Sequence, residues 1–278
     1  MSLIINKDYF NRFYAKSDGV TTLEMHTQHV ITAGENLLMT LPLSNTEKEF
    51  WGKKLYKCAV FHDLGKIHIE FVKRLNGIGE TDIRHELISL LMCLSFLEMD
   101  DDELFAIATH HKGVVDTQFG GKGLLSIEQI GGHLQALFEM DDDIFNESVV
   151  KLWAKIFNCP INNLHQQAQN TLPDKFKKLL NIKYQKEITP SLKERKALSH
   201  TRALLMAADH LGSARMENAI PKYKELSLAD FQPKKDGTVF PFRPFQENLQ
   251  NIKTDAILHA PTGSGKTEAA LNWVYANQ

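Results

Sequence analysis

The sequence predicts a mainly α-helical fold followed by a short strand–loop–helix segment. Apolar residues recur at helical spacing from about His26 to residue 216, prolines cluster after Glu217, and a glycine-rich loop separates an apolar run from a helical one near the carboxyl end. At 278 residues with 43% hydrophobic content, the chain can bury a substantial core, which suggests one large domain plus part of a second.

Val30, Ala33, Leu37 and Leu41 form the first apolar stripe, closed by Pro42. Leu55, Cys58, Ala59 and His62 share the next face, and Gly65 is expected to stop that helix in the C-cap manner. Leu87, Leu90, Leu91, Leu94 and Leu97 form a third stripe. Leu104, Ile107, Ala108 and His111 form a fourth that stops before Gly113, and Leu198, Leu205, Ala208 and Gly212 form the last. The stretch Gly113 to Leu125, with Gly120, Gly121 and Gly123, reads as a lid or a disordered tip.

Pro221, Pro233, Pro241 and Pro244, with a turn at Lys234-Lys235-Asp236-Gly237, mark a boundary. The expected division is 1–218, a linker 219–239, and 240–278. In the last part Ala256-Ile257-Leu258-His259 reads as a short buried strand, then comes Ala260-Pro261-Thr262-Gly263-Ser264-Gly265-Lys266-Thr267, then a helix from Glu268 to Tyr275. That loop has the phosphate-cradling pattern: backbone amides of Gly263, Ser264 and Gly265 face phosphates, Lys266 reaches the terminal ones and Thr267 binds magnesium.

A net charge of −2 and a pI near 6.6 give no global electrostatic footprint for nucleic acid. A local patch exists, because nine basic residues face three acidic ones between Leu172 and Ala203. Lys175, Lys177, Lys178, Lys183, Lys193, Arg195 and Lys196 are its candidate nucleic-acid contacts, with Phe176 and Tyr184 interleaved for stacking; a solvated helix face gives the same pattern. The acidic clusters Glu98 to Glu103 and Asp141 to Asp143 read as solvated helix starts. Cys58, Cys93 and Cys159 are expected as reduced core thiols. No apolar run approaches a membrane span and the amino terminus lacks a signal-peptide pattern, so a cytoplasmic, membrane-free protein is expected.

His62-Asp63 carries the chemistry. A nitrogen ligand and a carboxylate with two oxygens on adjacent residues can seed a one-metal or a two-metal site. Helical spacing turns His62 inward, and six further residues sit at inward or helix-end positions: His26, His29, His85, His110, His111 and Asp209. A single inward histidine is most often a hydrogen-bonded core residue, whereas the set points to metal.

The pattern His29, His62-Asp63, Asp209 resembles the HD phosphohydrolase superfamily, and His85 with the His110-His111 doublet looks like its two-metal branch. Arg84-His85-Glu86, Thr109-His110-His111-Lys112 and Ala207-Ala208-Asp209-His210-Leu211-Gly212-Ser213-Ala214-Arg215 are similar to motifs of the fused nuclease-helicases of type I CRISPR interference. Phe242-Arg243-Pro244-Phe245-Gln246 resembles the adenine-reading Q motif of DExD/H helicases, which makes Gln246 the base contact and residues 240–278 the start of a RecA-like domain.

The resemblance implies that His29, His62, Asp63 and Asp209 hold one metal, His29 being preferred to His26 because the Val30 face follows it. It implies that Asp63 bridges to a second metal on His85, His110 and His111. Five imidazoles and two carboxylates favour manganese, iron, cobalt or nickel over magnesium. Asp63 and Lys66 are the catalytic candidates, Lys66 by neutralising a phosphate. The implied activity is hydrolysis of single-stranded DNA exposed by an RNA-guided, Cascade-type surveillance complex. The chain ends before an acidic Walker B strand, so ATP and magnesium are expected to serve only a longer protein, and no ATP hydrolysis is expected here. The same ligands would also serve a nucleotidase, a cyclic-dinucleotide phosphodiesterase, or a non-catalytic metal-stabilised docking module.

Overall fold

The computed structural model describes residues 7–78, 84–111, 146–161, 191–219, 227–254 and 256–277. The chain forms two compact units, Met1–Ile220 and Pro221–Gln278. Among the described residues the architecture is mainly helical, and its sheet is a two-stranded hairpin.

The first unit contains α1 (Leu23–Thr40), α2 (Asn45–Phe61), a 3-10 turn (Leu64–Ile67), α3 (Ile69–Leu75), α4 (His85–Phe96), α5 (Asp101–Thr109), α6 (Glu147–Ile156) and α7 (Leu192–Ser213). Side chains start these helices by taking up amides that lack partners within the first turn. Thr22 Oγ accepts from Met25 N. Ser44 and Ser191 form reciprocal boxes with Glu47 and Glu194.

The long α7 packs on α1, α2 and α5. Small residues let it approach closely: a Cβ on Gly212 would stand 2.8 Å from Val30 N, and one on Gly34 would stand 2.9 Å from Leu55 Cδ2 and 3.6 Å from Ala208 Cβ. Trp153 of α6 is fully buried, donates to Val60 O at 2.6 Å and packs on Phe10. Cys58, Cys93 and Cys159 are free and buried, and burial pushes their thiols up, Cys159 to about 11. They are core residues, poor nucleophiles at neutral pH.

Two expectations are corrected in this unit. The cluster at 100–103 is not simply solvated, because Asp102 and Glu103 are buried. Asp102 accepts from Lys54 Nζ at 2.8 Å and Thr201 Oγ at 2.5 Å, tying α5 to α2 and α7. Gly65 is no left-handed cap either: it lies in the 3-10 turn, outside the positive-φ glycines. Its role is proximity, since a Cβ there would stand 2.2 Å from His85 O and 2.7 Å from Ser89 N, while Gly65 N donates to Ser89 Oγ at 2.8 Å. Arg202, from the basic run, donates from Nε to Thr109 O and Oγ at 3.1 and 3.0 Å and so holds the end of α5.

Lys193 and Lys196 are exposed on the first turns of α7. Lys175, Lys177, Lys178, Lys183, the glycine-rich stretch 113–125, Asp141 to Asp143 and the side chain of Arg195 lie outside the described residues.

The second unit contains α8 (Leu228–Phe231), β1 (Lys234–Lys235), β2 (Thr238–Val239), α9 (Pro244–Asn248) and α10 (Lys266–Ala276). The expected linker 219–239 therefore includes a helical turn and a hairpin. Asp236 and Gly237 turn the hairpin at φ 53° and 78°, the paired left-handed conformation of a two-residue loop. Phe231 packs on Phe242 and Tyr275. The expected strand at 256–259 is corrected: these residues are irregular, and Ile257 is fully exposed. An apolar run becomes a strand only when a neighbour takes its backbone groups, and among the described residues no partner strand lies beside it. Among the described residues no helix is long and apolar enough to cross a membrane.

Candidate metal centre

Seven side chains converge in the first unit. His26 comes from α1 and Asp209 from α7. His62 caps the carboxyl end of α2, and Asp63 leaves the helix at φ −107°, ψ 4°. His85 is the first residue of α4, while His110 caps the end of α5 with His111 following. Helix ends thus deliver five of the seven, and the ends of α2 and α5 are buried with them.

The ligand atoms fall into two groups, His26 with His62 and Asp209, and Asp63 with His85, His110 and His111; within each they lie within 4.8 Å of one another. Asp63 reaches both. Its Oδ2 is 3.0 Å from His26 Nε2 and 3.4 Å from His62 Nε2, while its Oδ1 is 3.0 Å from His85 Nε2 and 3.6 Å from His110 Nε2. Asp209 Oδ1 lies 3.2 Å from His26 Nε2 and 3.8 Å from His62 Nε2, and Oδ2 lies 3.8 Å from His111 Nδ1. Lys66 Nζ donates to Asp63 Oδ2 at 2.6 Å.

Close approach here is not hydrogen bonding. His26 Nε2, His62 Nε2, His85 Nε2, His110 Nε2 and Asp63 Oδ1 are buried without a hydrogen-bond partner. Orphaned buried polar atoms are costly. Facing one another within two adjoining groups, they are what cations need, so the donor set fits metal, and imidazole-rich ligation suits transition ions.

The backs of two rings are fixed. His62 Nδ1–H donates to Ala59 O at 2.8 Å and His110 Nδ1–H to Ile107 O at 2.7 Å; a carbonyl only accepts, so in the neutral ring the lone pair is on Nε2, which faces the centre. Burial opposes charge on His62, but Asp63 and Asp209 outweigh it and raise the ring to about 10. The two carboxylates are held below the usual carboxylate range: burial is outweighed at Asp63 by His62 and Lys66, and at Asp209 by His26 and His62. Burial, reinforced by His110, lowers His111 to about 3, and burial also lowers His85.

His29 is the corrected ligand. Its Nε2 accepts from Arg215 Nη1 at 3.1 Å and faces Glu217 at 3.9 Å, with the ring 20% exposed. His26 takes the inner position, 2% exposed. The signal was present in the sequence: Leu23, His26, Val30 and Ala33 keep helical spacing on the buried face, whereas His29 lies off it. Glu86 and Arg84, which flank His85, and Arg202, which holds the end of α5, escaped sequence reasoning because their roles depend on three-dimensional contacts.

In the second unit Gly263 and Gly265 adopt φ 75° and 89°, and α10 starts at Lys266. Lys266 Nζ donates to Ala260 O and Pro261 O at 2.9 and 2.8 Å, and Thr267 is exposed. Buried Gln246 donates to Gly265 O at 2.8 Å, so it braces the loop. No protein-family model matches the chain, and no curated protein matches it.

Proposed function

We propose that the protein is a metal-dependent nuclease of the HD phosphohydrolase type that cuts single-stranded DNA in CRISPR interference. The observation that carries this reading is Asp63, whose two oxygens face two different imidazole groups. Cations held there would polarise a phosphodiester and activate water for its hydrolysis.

The chain's own residues have separate tasks. Asp63 joins the two groups, and His26, His62 and Asp209 complete one while His85, His110 and His111 complete the other. Lys66, 7% exposed and fixed on Asp63, puts positive charge where a substrate phosphate would arrive. Manganese, iron, cobalt or nickel suits these donors. The loop from Gly263 to Thr267, braced by Gln246, is read as the nucleotide-binding start of a helicase domain, with MgATP its ligand and a Cascade-type complex the partner that exposes the strand.

The test is cleavage of circular single-stranded DNA with manganese, cobalt or nickel. Wild type should cut, and Asp63→Ala should lose both cleavage and bound metal. Cleavage undiminished in Asp63→Ala would falsify the proposal.

A further inference from the structure

Of the three ring nitrogens that face Asp63 from helix termini, one has no backbone carbonyl behind it among the described residues. His62 and His110 stand at helix carboxyl ends, where Nδ1 reaches the carbonyl three residues back. His85 opens α4, so no helical turn precedes it to offer that acceptor. Glu86 faces the vacant position instead: Glu86 Oε2 lies 3.5 Å from His85 Nδ1. Its other oxygen, Oε1, accepts from Arg84 Nε at 3.2 Å and Nη2 at 2.8 Å.

Both partners are buried, at 6% and 3% exposure. Arg84 occupies the N-cap position without a side-chain cap bond. Its Nη1 is buried with no hydrogen-bond partner. Burying an incompletely satisfied ion pair is poor as a stabilising device, and this one brackets a single candidate ligand.

We infer that Glu86, clamped by Arg84, is the positioning residue for His85. The carboxylate favours the Nδ1–H form of the ring, which leaves the Nε2 lone pair facing Asp63 Oδ1, 3.0 Å away. The effect is local to the group of Asp63, His85, His110 and His111, because nothing in the Arg84–Glu86 pair touches His26, His62 or Asp209. This inference rests on the metal centre proposed above.

The test is cobalt titration of the whole chain, read by calorimetry and by the visible absorption of the bound ion, in wild type, Glu86→Gln and Arg84→Lys. Glu86→Gln should weaken one binding event about 10- to 100-fold and change its absorption band, leaving the other event unchanged, while the loss of Arg84's buried partner lowers the metal-free melting temperature of the whole unit. Arg84→Lys keeps the charge without the two-toothed grip and should give a smaller loss at the same event. Equal weakening of both events would mark a structural ion pair only and overturn the inference. Unchanged cobalt binding in Glu86→Gln would overturn it while leaving the metal centre standing. Failure of wild type to take up cobalt would overturn both.

Discussion

His26 and His29 lie less than one turn apart on α1, and burial separates them. His26 Nε2 is within 3.2 Å of two carboxylates, while His29 accepts from Arg215 near solvent. His26→Ala should therefore lower metal affinity at least about tenfold, whereas His29→Ala should leave the binding isotherm in place; the reverse ranking would restore His29 as the ligand. His62 sets the pH dependence. Its metal-free pKa, about 10, exceeds the ordinary value of about 6.5. The stabilisation from its charge is therefore complete below about pH 6.5 and fades as pH rises through about 10. A cation needs the neutral ring, so uptake expels that proton. Metal added to weakly buffered protein at pH 7 to 9 should release acid, visible with an indicator dye, and affinity should climb with pH. Uptake without proton release would contradict the assigned charge.

Elements bring these atoms together through helix ends and one glycine. The 3-10 turn lies so close to α4 that Gly65 has no room for a Cβ, which would fall 2.2 Å from His85 O. The two nearest atoms, His85 O and Ser89 N, are backbone, and Ile88 Cβ follows at 2.8 Å, so Gly65→Ala must displace α4 and His85 with it. The expected result is a loss of about 1–3 kcal/mol or more in denaturant unfolding, together with weaker metal binding; an unchanged midpoint would show that the turn yields easily. The apolar stripes and the inward turn of His62, Asp63 and Asp209 were legible in the sequence, because periodicity along one helix reports its buried face. Which of two neighbouring histidines points inward was legible only in part. The contact that demands Gly65, the Asp102–Thr201 link and the Glu86 support for His85 each join residues on different elements or depend on side-chain direction, and no single helix pattern encodes them. The strand expected at 256–259 failed for the same reason, since strands are made by partners.

At the scale of the molecule, the candidate metal centre belongs wholly to the first unit, where α1, α2, α4, α5 and α7 each bring a side chain to it. The orphaned atoms of His26, His62, Asp63, His85 and His110 are a liability of the metal-free fold that a cation would remove. A ligand that binds only the folded state stabilises it by mass action, about 2.7 kcal/mol at one hundred times its dissociation constant. Tryptophan fluorescence can report this for one unit alone. Trp51 and Trp153 lie in the first unit and Trp273 in the second, where its Nε1 donates to Ile252 O at 2.9 Å. In Trp273→Phe, thermal unfolding followed at the remaining tryptophans should shift upward by several degrees when manganese or cobalt is added, and return when a chelator removes it. Adding Asp63→Ala should abolish the shift, because that substitution takes the shared carboxylate from both groups. A metal-induced shift of equal size in the Asp63→Ala protein would place the binding elsewhere and remove the basis for reading the cluster as one centre.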